Sequence, residues 1–334
     1  MSILSHDGRR SAFEWPNGLL ILAIYGAWAA LLWFHDRLPL LLADAALVVV
    51  VAWFMSLQHE LLHGHPTRHD GINRLFGLLP LSAWYPYDLY RDSHLAHHRD
   101  ELLTTPGVDP ESNYVEPAAW QAMGPLRRWL HTAMRTVLGR FLLGPAIILP
   151  AVWADIVTGP MQRGWPAVRT WVEHLGLLAL LLWGVQSVSG ISPLHYLFGI
   201  AYPALGLAML RSLYEHRPAR EVGHRIVINE AGWFWRLLYL NNNYHSVHHA
   251  VPGLAWYRIP ALWRAQRERF LAGNGQFHLQ GYGGLIWRHA LRPIDSPVHP
   301  GFGDAPLPGP EARQPQSALD RPARVPTAHH SSRT

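Results

Sequence analysis

The 334-residue chain has no cysteine and no lysine, so all 28 of its basic residues are arginine. Without cysteine there can be no disulfides, thiolate zinc sites, iron–sulfur clusters or cysteine nucleophile. Charge is scarce too, at 15% of residues, which is low for a soluble chain. No G-x-G-x-x-G stretch follows a candidate strand, so the sequence offers no dinucleotide-binding turn. A formal charge of +5 could suit nucleic acid, but the arginines are dispersed along polar segments and form no block. An arginine excess on one side of a membrane gives the same figure, so we expect a membrane and no nucleic acid. The hydrophobic share of 49% excludes disorder of the whole chain. A mean hydropathy of 0.00 is too polar for a bundle that faces lipid everywhere. The composition therefore fits apolar spans joined to a large polar part.

Residues 19–34 form a nearly uncharged run, and with their flanks they approach the ~20 residues that a spanning helix needs. Residues 38–57 form a second run, interrupted by Asp44 and separated from the first by a short link around His35. Together they predict a helical hairpin, with spans at about 17–34 and 38–57. A second hairpin is expected at about 174–189 and 194–214, turning at Gly190-Ile191-Ser192-Pro193. Residues 137–157 are also apolar, but they contain Pro145 and Pro150 and are flanked by Arg135 and Arg140. They read as an interfacial or re-entrant segment. With only the two hairpins crossing, the polar segments share one side, and that side carries nearly all of the arginine. The positive-inside tendency makes it cytoplasmic. The expected fold is all-α, with four transmembrane helices and a cytosolic helical cap over residues 1–290. A Pro-rich tail, 291–334, is expected to be disordered.

The chain is rich in histidine, with 22 in all. One cluster closes the second span: Gln58-His59-Glu60-Leu61-Leu62-His63-Gly64-His65. A second is His94-Leu95-Ala96-His97-His98 and a third is His245-Ser246-Val247-His248-His249. On a helix, residues three and four apart share a face, so each cluster can turn two or three imidazoles toward one point. Neutral imidazole suits Fe, Zn, Cu and Ni. A single pair of this kind is commonly structural. Three clusters on one side of a membrane exceed what one tetrahedral zinc can use and suit two metals. Asn241 stands four residues before His245, which on a helix would set it on the same face, behind a ligand or a bound water.

These clusters and their surroundings resemble the membrane fatty acid desaturase and hydroxylase superfamily, over roughly residues 15–270. The likeness rests on Arg91-Asp92-Ser93-His94-Leu95-Ala96-His97-His98, on Asp109-Pro110-Glu111-Ser112, and on Asn241-Asn242-Asn243-Tyr244-His245 running through His249 to Pro252-Gly253-Leu254-Ala255-Trp256-Tyr257. It implies a four-helix membrane fold with a di-iron centre in its cap, held by His59, His63, His94, His97, His98, His245, His248 and His249. A ninth ligand follows the last span in this family, and His216 stands there. The resemblance also marks Asp109 and Glu111 as supports behind the ligands, with Glu60 and His65 as further candidates. It implies O2 as co-substrate, a lipid or acyl substrate and a separate electron donor of ferredoxin, rubredoxin or haem-protein type. The expected reaction is desaturation of an acyl-lipid or acyl-thioester, as part of lipid metabolism. The alternatives are hydroxylation, or action on an alkane, carotenoid or small amphiphile. Trp84-Tyr85-Pro86-Tyr87 reads equally as part of an acyl tunnel or as an interfacial marker.

Two other readings compete. His59-Glu60-Leu61-Leu62-His63 is formally HExxH, the zinc-protease pattern in which the glutamate acts as general base. It would leave six clustered histidines without work. A metal carrier would bury its ligands in mid-membrane, whereas these clusters fall at span ends or beyond.

Overall fold

The computed structural model describes residues 13–301, and these are overwhelmingly helical. Helix α1 (Trp15–Trp33) opens with Pro16 in its first turn, where a missing N–H costs nothing. A short 3-10 turn over His35–Arg37 leads to α2 (Leu40–Leu62), which carries the first histidine cluster at its end. Then follow α3 (Asp70–Leu78) and α4 (Tyr87–His97), which presents the second cluster. Two short helices, α5 (Pro117–Ala122) and α6 (Pro125–Ala133), precede the long α7 (Val137–Arg163) and α8 (Trp165–Ser189). A π-helix, His195–Ala201, runs directly into α9 (Tyr202–Ser212). Then come α10 (Trp233–Leu238), α11 (His245–Ala250) with the third cluster, and three more short helices. The only sheet among the described residues pairs Ile228–Asn229 with His278–Leu279 in parallel, Ile228 opposite His278.

Among the described residues, four helices are long and apolar enough to cross a membrane: α1, α2, α7 and α8. Their outward faces keep large apolar side chains uncovered, such as Leu22, Leu41 and Trp183. That is the face a lipid-embedded helix offers and a soluble one avoids.

The helix boundaries in this region differ from those expected, while the interfacial reading of residues 137–157 concerns position and not helix continuity. Residues 137–157 are part of one continuous 27-residue helix, α7, which runs through Pro145, Pro150 and Pro160 without breaking. Each proline removes one N–H donor, but in apolar surroundings a broken helix would strand many more backbone groups. The expected span 194–214 is two pieces, a π-helix and then α9, and the span expected from 174 begins nine residues earlier, at Trp165.

Both ends of α7 pack toward the end of the bundle that carries the histidines. At its start, Leu138 N donates to Ala290 O, and Arg140 Nη1 donates to Asn113. At its far end, Asp155 accepts from Trp171 Nε1 on α8. The neighbouring Glu173 pairs with Arg74 of α3, and His174 meets Ala83 O between α3 and α4. At the opposite end of the bundle Asp44 joins the two hairpin tips, bonding His35 Nε2 at 3.1 Å and His195 Nε2 at 2.9 Å.

The tail expectation is also corrected in part. Residues 291–301 are docked: Asp295 pairs with buried Arg135 at 2.6 Å, and residues 297–299 form backbone bonds with Val115. Composition alone could not show these contacts. Residues 302–334 lie outside the described residues.

Candidate metal centre

All nine candidate histidines converge, in two groups. His59, His63, His94, His98 and His248 form one, and His97, His216, His245 and His249 form the other. Within each group the candidate ligand atoms lie within 4.8 Å of one another. The helical spacing explains the partition. On α4 and just beyond it, His94 and His98 are four apart and point one way, while His97 points to the second group. On α11, His245 and His249 are four apart and serve the second group, while His248 serves the first. Both helices therefore contribute to both groups. The groups touch where the His98 and His249 rings stack at 4.4 Å.

The outward nitrogens of these rings have partners of their own. His97 Nδ1 donates to Asp109 Oδ1 and His94 Nδ1 to Glu111 Oε1, each at 2.8 Å. His249 Nδ1 donates to Asp100 Oδ1 at 2.7 Å, and His245 Nδ1 donates to Asn242 Oδ1 at 3.1 Å, with Glu215 Oε1 at 3.3 Å. A carboxylate only accepts, so these contacts put the proton on Nδ1 and leave Nε2 with a bare lone pair. Those lone pairs then face one another. His97 Nε2 and His245 Nε2 each lie 3.0 Å from His216 Nε2, and His98 Nε2 lies 3.0 Å from His94 Nε2 and 3.1 Å from His248 Nε2. His63 Nε2 is buried with no hydrogen-bond partner among the described residues. Opposed lone pairs in a dry site repel, and a cation between them turns that repulsion into ligation. The donor set thus fits two metal ions.

The electrostatics point the same way. Burial, reinforced by mutual repulsion, holds His63, His94, His216, His245, His248 and His249 below the ordinary histidine range, and brings His98 to about 2. These rings are neutral ligands at neutral pH. His97 is the exception. Burial works against its charge, but Glu111 and Asp109 outweigh it and lift the ring to about 9, so without a metal its Nε2 also carries a proton and donates to His216 Nε2. The field that favours a proton there favours a metal cation equally. Glu111 is held well below the usual carboxylate range by His97, His94 and Arg211, despite its burial.

Asp109 and Glu111 therefore hold candidate ligands, His97 and His94, by hydrogen bonds. Asn241, Glu60 and His65 do not. Asn241 is not helical. With Leu240 it adopts a left-handed backbone (φ 57 and 47) in the turn before α11, so its four-residue offset from His245 does not mean a shared face. Its side chain accepts from Arg236 and donates to Trp256 O. Glu60 Oε2 accepts from Trp256 N at 3.1 Å. His65 turns away to Glu14, at 2.6 Å. These three tie the segment after the third cluster to α1 and α2. The bond to Trp256 also leaves the HExxH glutamate poorly placed as a general base.

Three supports were not anticipated: Asp100, Glu215 and Asn242. Each lies within three residues of a ligand, which is the only signal that could have marked it. The neighbouring asparagines divide their work, since Asn242 reaches His245 and lies 3.4 Å from His59 while Asn243 donates to Asn229 O on the small sheet.

A cavity of about 250 Å³ opens beside the first group, lined by Gln58, Tyr85, Tyr90 and Ser93 near the ligands and by Met55, Ile148, Leu205 and Met209 on its apolar side. Tyr85 of the Trp-Tyr-Pro-Tyr stretch is thus a wall residue, while Trp84 packs on Phe198.

Sequence comparison decides the kinship: the fatty acid desaturase family matches over residues 36–281. The chain belongs to the fatty acid desaturase family. The matched region contains all nine histidines and the five residues that support them, Asp100, Asp109, Glu111, Glu215 and Asn242. Comparison with curated proteins finds no match. This desaturase-family protein is an integral membrane oxidoreductase of the desaturase or hydroxylase type. Its family is a di-iron class acting on lipid substrates, and its two histidine groups could hold the metals.

Proposed function

We propose that the protein is an O2-dependent fatty acyl desaturase that inserts a double bond into an acyl chain, with one iron held by each histidine group. The observation that carries this reading is the convergence of bare Nε2 atoms in two touching groups. Bound there, two irons would supply the oxidising power to break an unactivated C–H bond, which side-chain acid–base chemistry lacks. The protein's own contribution is positional. Asp109, Glu111, Asp100 and Asn242 fix the tautomers and orientations of four imidazoles. The cavity, walled by Gln58 next to His59 and Ser93 next to His94, would hold a hydrocarbon near the first group.

The contacts support a topology in which α1, α2, α8 and the His195–Ser212 helix cross while α7 lies along the metal side. Asp44 would then clamp the hairpin tips on the far face. The positive-inside tendency makes the metal side cytoplasmic. With no cysteine in the chain, electrons come from a separate donor protein docking on that side.

Hydroxylation is the second reading, because the same site serves either outcome and only the placement of the chain decides. The test is a mass-spectrometric fatty acid profile of cells co-expressing an electron donor with wild type or His98→Ala, alongside iron analysis of purified protein. An extra double bond in wild type alone, with two irons per chain, is the expected result. A hydroxylated chain selects the second reading. Wild type with no iron rejects both.

A further inference from the structure

The polar wall of the cavity holds a feature that an acyl tunnel has no need of. Arg140, on α7, is fully buried and lines the cavity, yet among the described residues no carboxylate pairs with it. Its Nη1 donates to Asn113 Oδ1 at 2.6 Å, while its Nε and Nη2 have no hydrogen-bond partner among the described residues. Those two N–H groups lie along one edge of the guanidinium as the fork that takes the two oxygens of a carboxylate side by side, and both are closed to water, so a head group reaches them only by displacing neighbouring wall atoms. The local charge is unbalanced as well. The neighbouring Arg135 uses up Asp295, bonding it at 2.6 Å, and Tyr114 donates to the same carboxyl. Two buried guanidiniums thus share one carboxylate. Elsewhere on the cavity wall Arg211 is paired with Glu215 at 2.7 Å, and Glu111 is engaged by His94. Isolated buried charge of this kind is costly unless a partner arrives.

We propose that the Arg140 fork binds the carboxylate head of a free, chain-bearing acid and so orients the substrate in the cavity beside the first histidine group. The inference rests on the oxidase reading and narrows its substrate from acyl esters and thioesters to acids with an ionised head. Arg140 is linked to the candidate metal centre by a short relay. Asn113, which accepts from Arg140, donates its own Nδ2 to Glu111 O, and the Glu111 side chain holds His94. A head group fixed at Arg140 is therefore registered against the ligands. The apolar wall of Met55, Ile148, Leu205 and Met209 takes the chain.

The test compares dodecanoate with dodecanol, which have the same chain and differ in the head group, binding to iron-loaded wild-type protein in detergent by tryptophan fluorescence. Charge-assisted bidentate bonding predicts that the acid binds ~10–100-fold more tightly. Arg140→Gln should abolish that preference while leaving dodecanol binding unchanged, and Arg140→Lys should keep part of it. Equal binding of acid and alcohol by wild type overturns the proposal without any variant, as does a preference that survives in Arg140→Gln. Arg140-dependent acid binding with no oxidised product under turnover would keep this site and reject the oxidase reading. Oxidation that is indifferent to Arg140 would do the reverse.

Discussion

Replacing Asp109 with asparagine changes one oxygen of a buried carboxylate and tests the logic of the second histidine group. Asp109 Oδ1 accepts from both His97 Nδ1 (2.8 Å) and Glu111 N (2.9 Å), and Oδ2 accepts from Thr104 N at 2.9 Å. An amide cannot satisfy all three donors. If its oxygen stays at the Oδ1 position, its NH2 confronts the Thr104 N–H. If it flips, it confronts both His97 and Glu111 N. The first arrangement loses least, at about 1–3 kcal/mol for one buried unsatisfied donor. It also replaces an anion behind His97 with a neutral dipole, so the imidazole becomes a poorer donor. Losing such a support typically weakens metal binding ~10–100-fold. The assay is metal analysis after equilibration against graded chelator. Wild type should hold two irons, and Asp109→Asn should fall to one at a chelator strength that wild type withstands. Two-iron retention identical to wild type across the series would refute the assignment of Asp109 as a ligand support.

Three further outcomes follow from the same contacts. Glu60→Gln should retain activity and iron, since an amide oxygen can still accept from Trp256 N, and complete loss of function would restore a chemical role for Glu60. Asp295→Ala should lower stability by about 3 kcal/mol, the low end for breaking a buried pair, because Arg135 keeps its bond to Tyr114. Chemical denaturation in detergent measures it, and an unchanged midpoint would mean that the 291–301 segment adds nothing. His35→Ala should leave iron content intact and cost about 1 kcal/mol, since Asp44 keeps His195. Iron loss in that variant would overturn the assignment of this end of the bundle as remote from the metals.

The three clusters could be read from the sequence because their chemistry is local. The spacings in His94 to His98 and His245 to His249 fix which side chains share a helical face before any tertiary contact exists. How His97 parts from His94, and His248 from His245, is a consequence of how α4 and α11 cross, which spacing does not state. The errors have specific causes. Asn241 was given a helical phase, but the chain there turns with two residues in left-handed conformation. The prolines of α7 suggest a broken segment, but the helix runs through all three of them. Residues 291–301 look disordered by composition, yet one carboxylate, Asp295, finds a buried guanidinium. Asp100 and Glu215 were missed because a carboxylate near a histidine is commonplace until its distance to a ring nitrogen is known.

The ligands also impose a timetable on biosynthesis. His59 and His249 are 190 residues apart, and neither group is complete until the third cluster has been made. At about 5–20 residues per second, roughly 10–40 s separate synthesis of the first ligand from synthesis of the last. In that interval the nascent chain displays partial imidazole sets, which favour copper and nickel over iron. Under the proposed di-iron function, the metal must therefore be loaded after translation, into a fully inserted protein. Cells that make this protein should be vulnerable to mismetallation when copper is abundant.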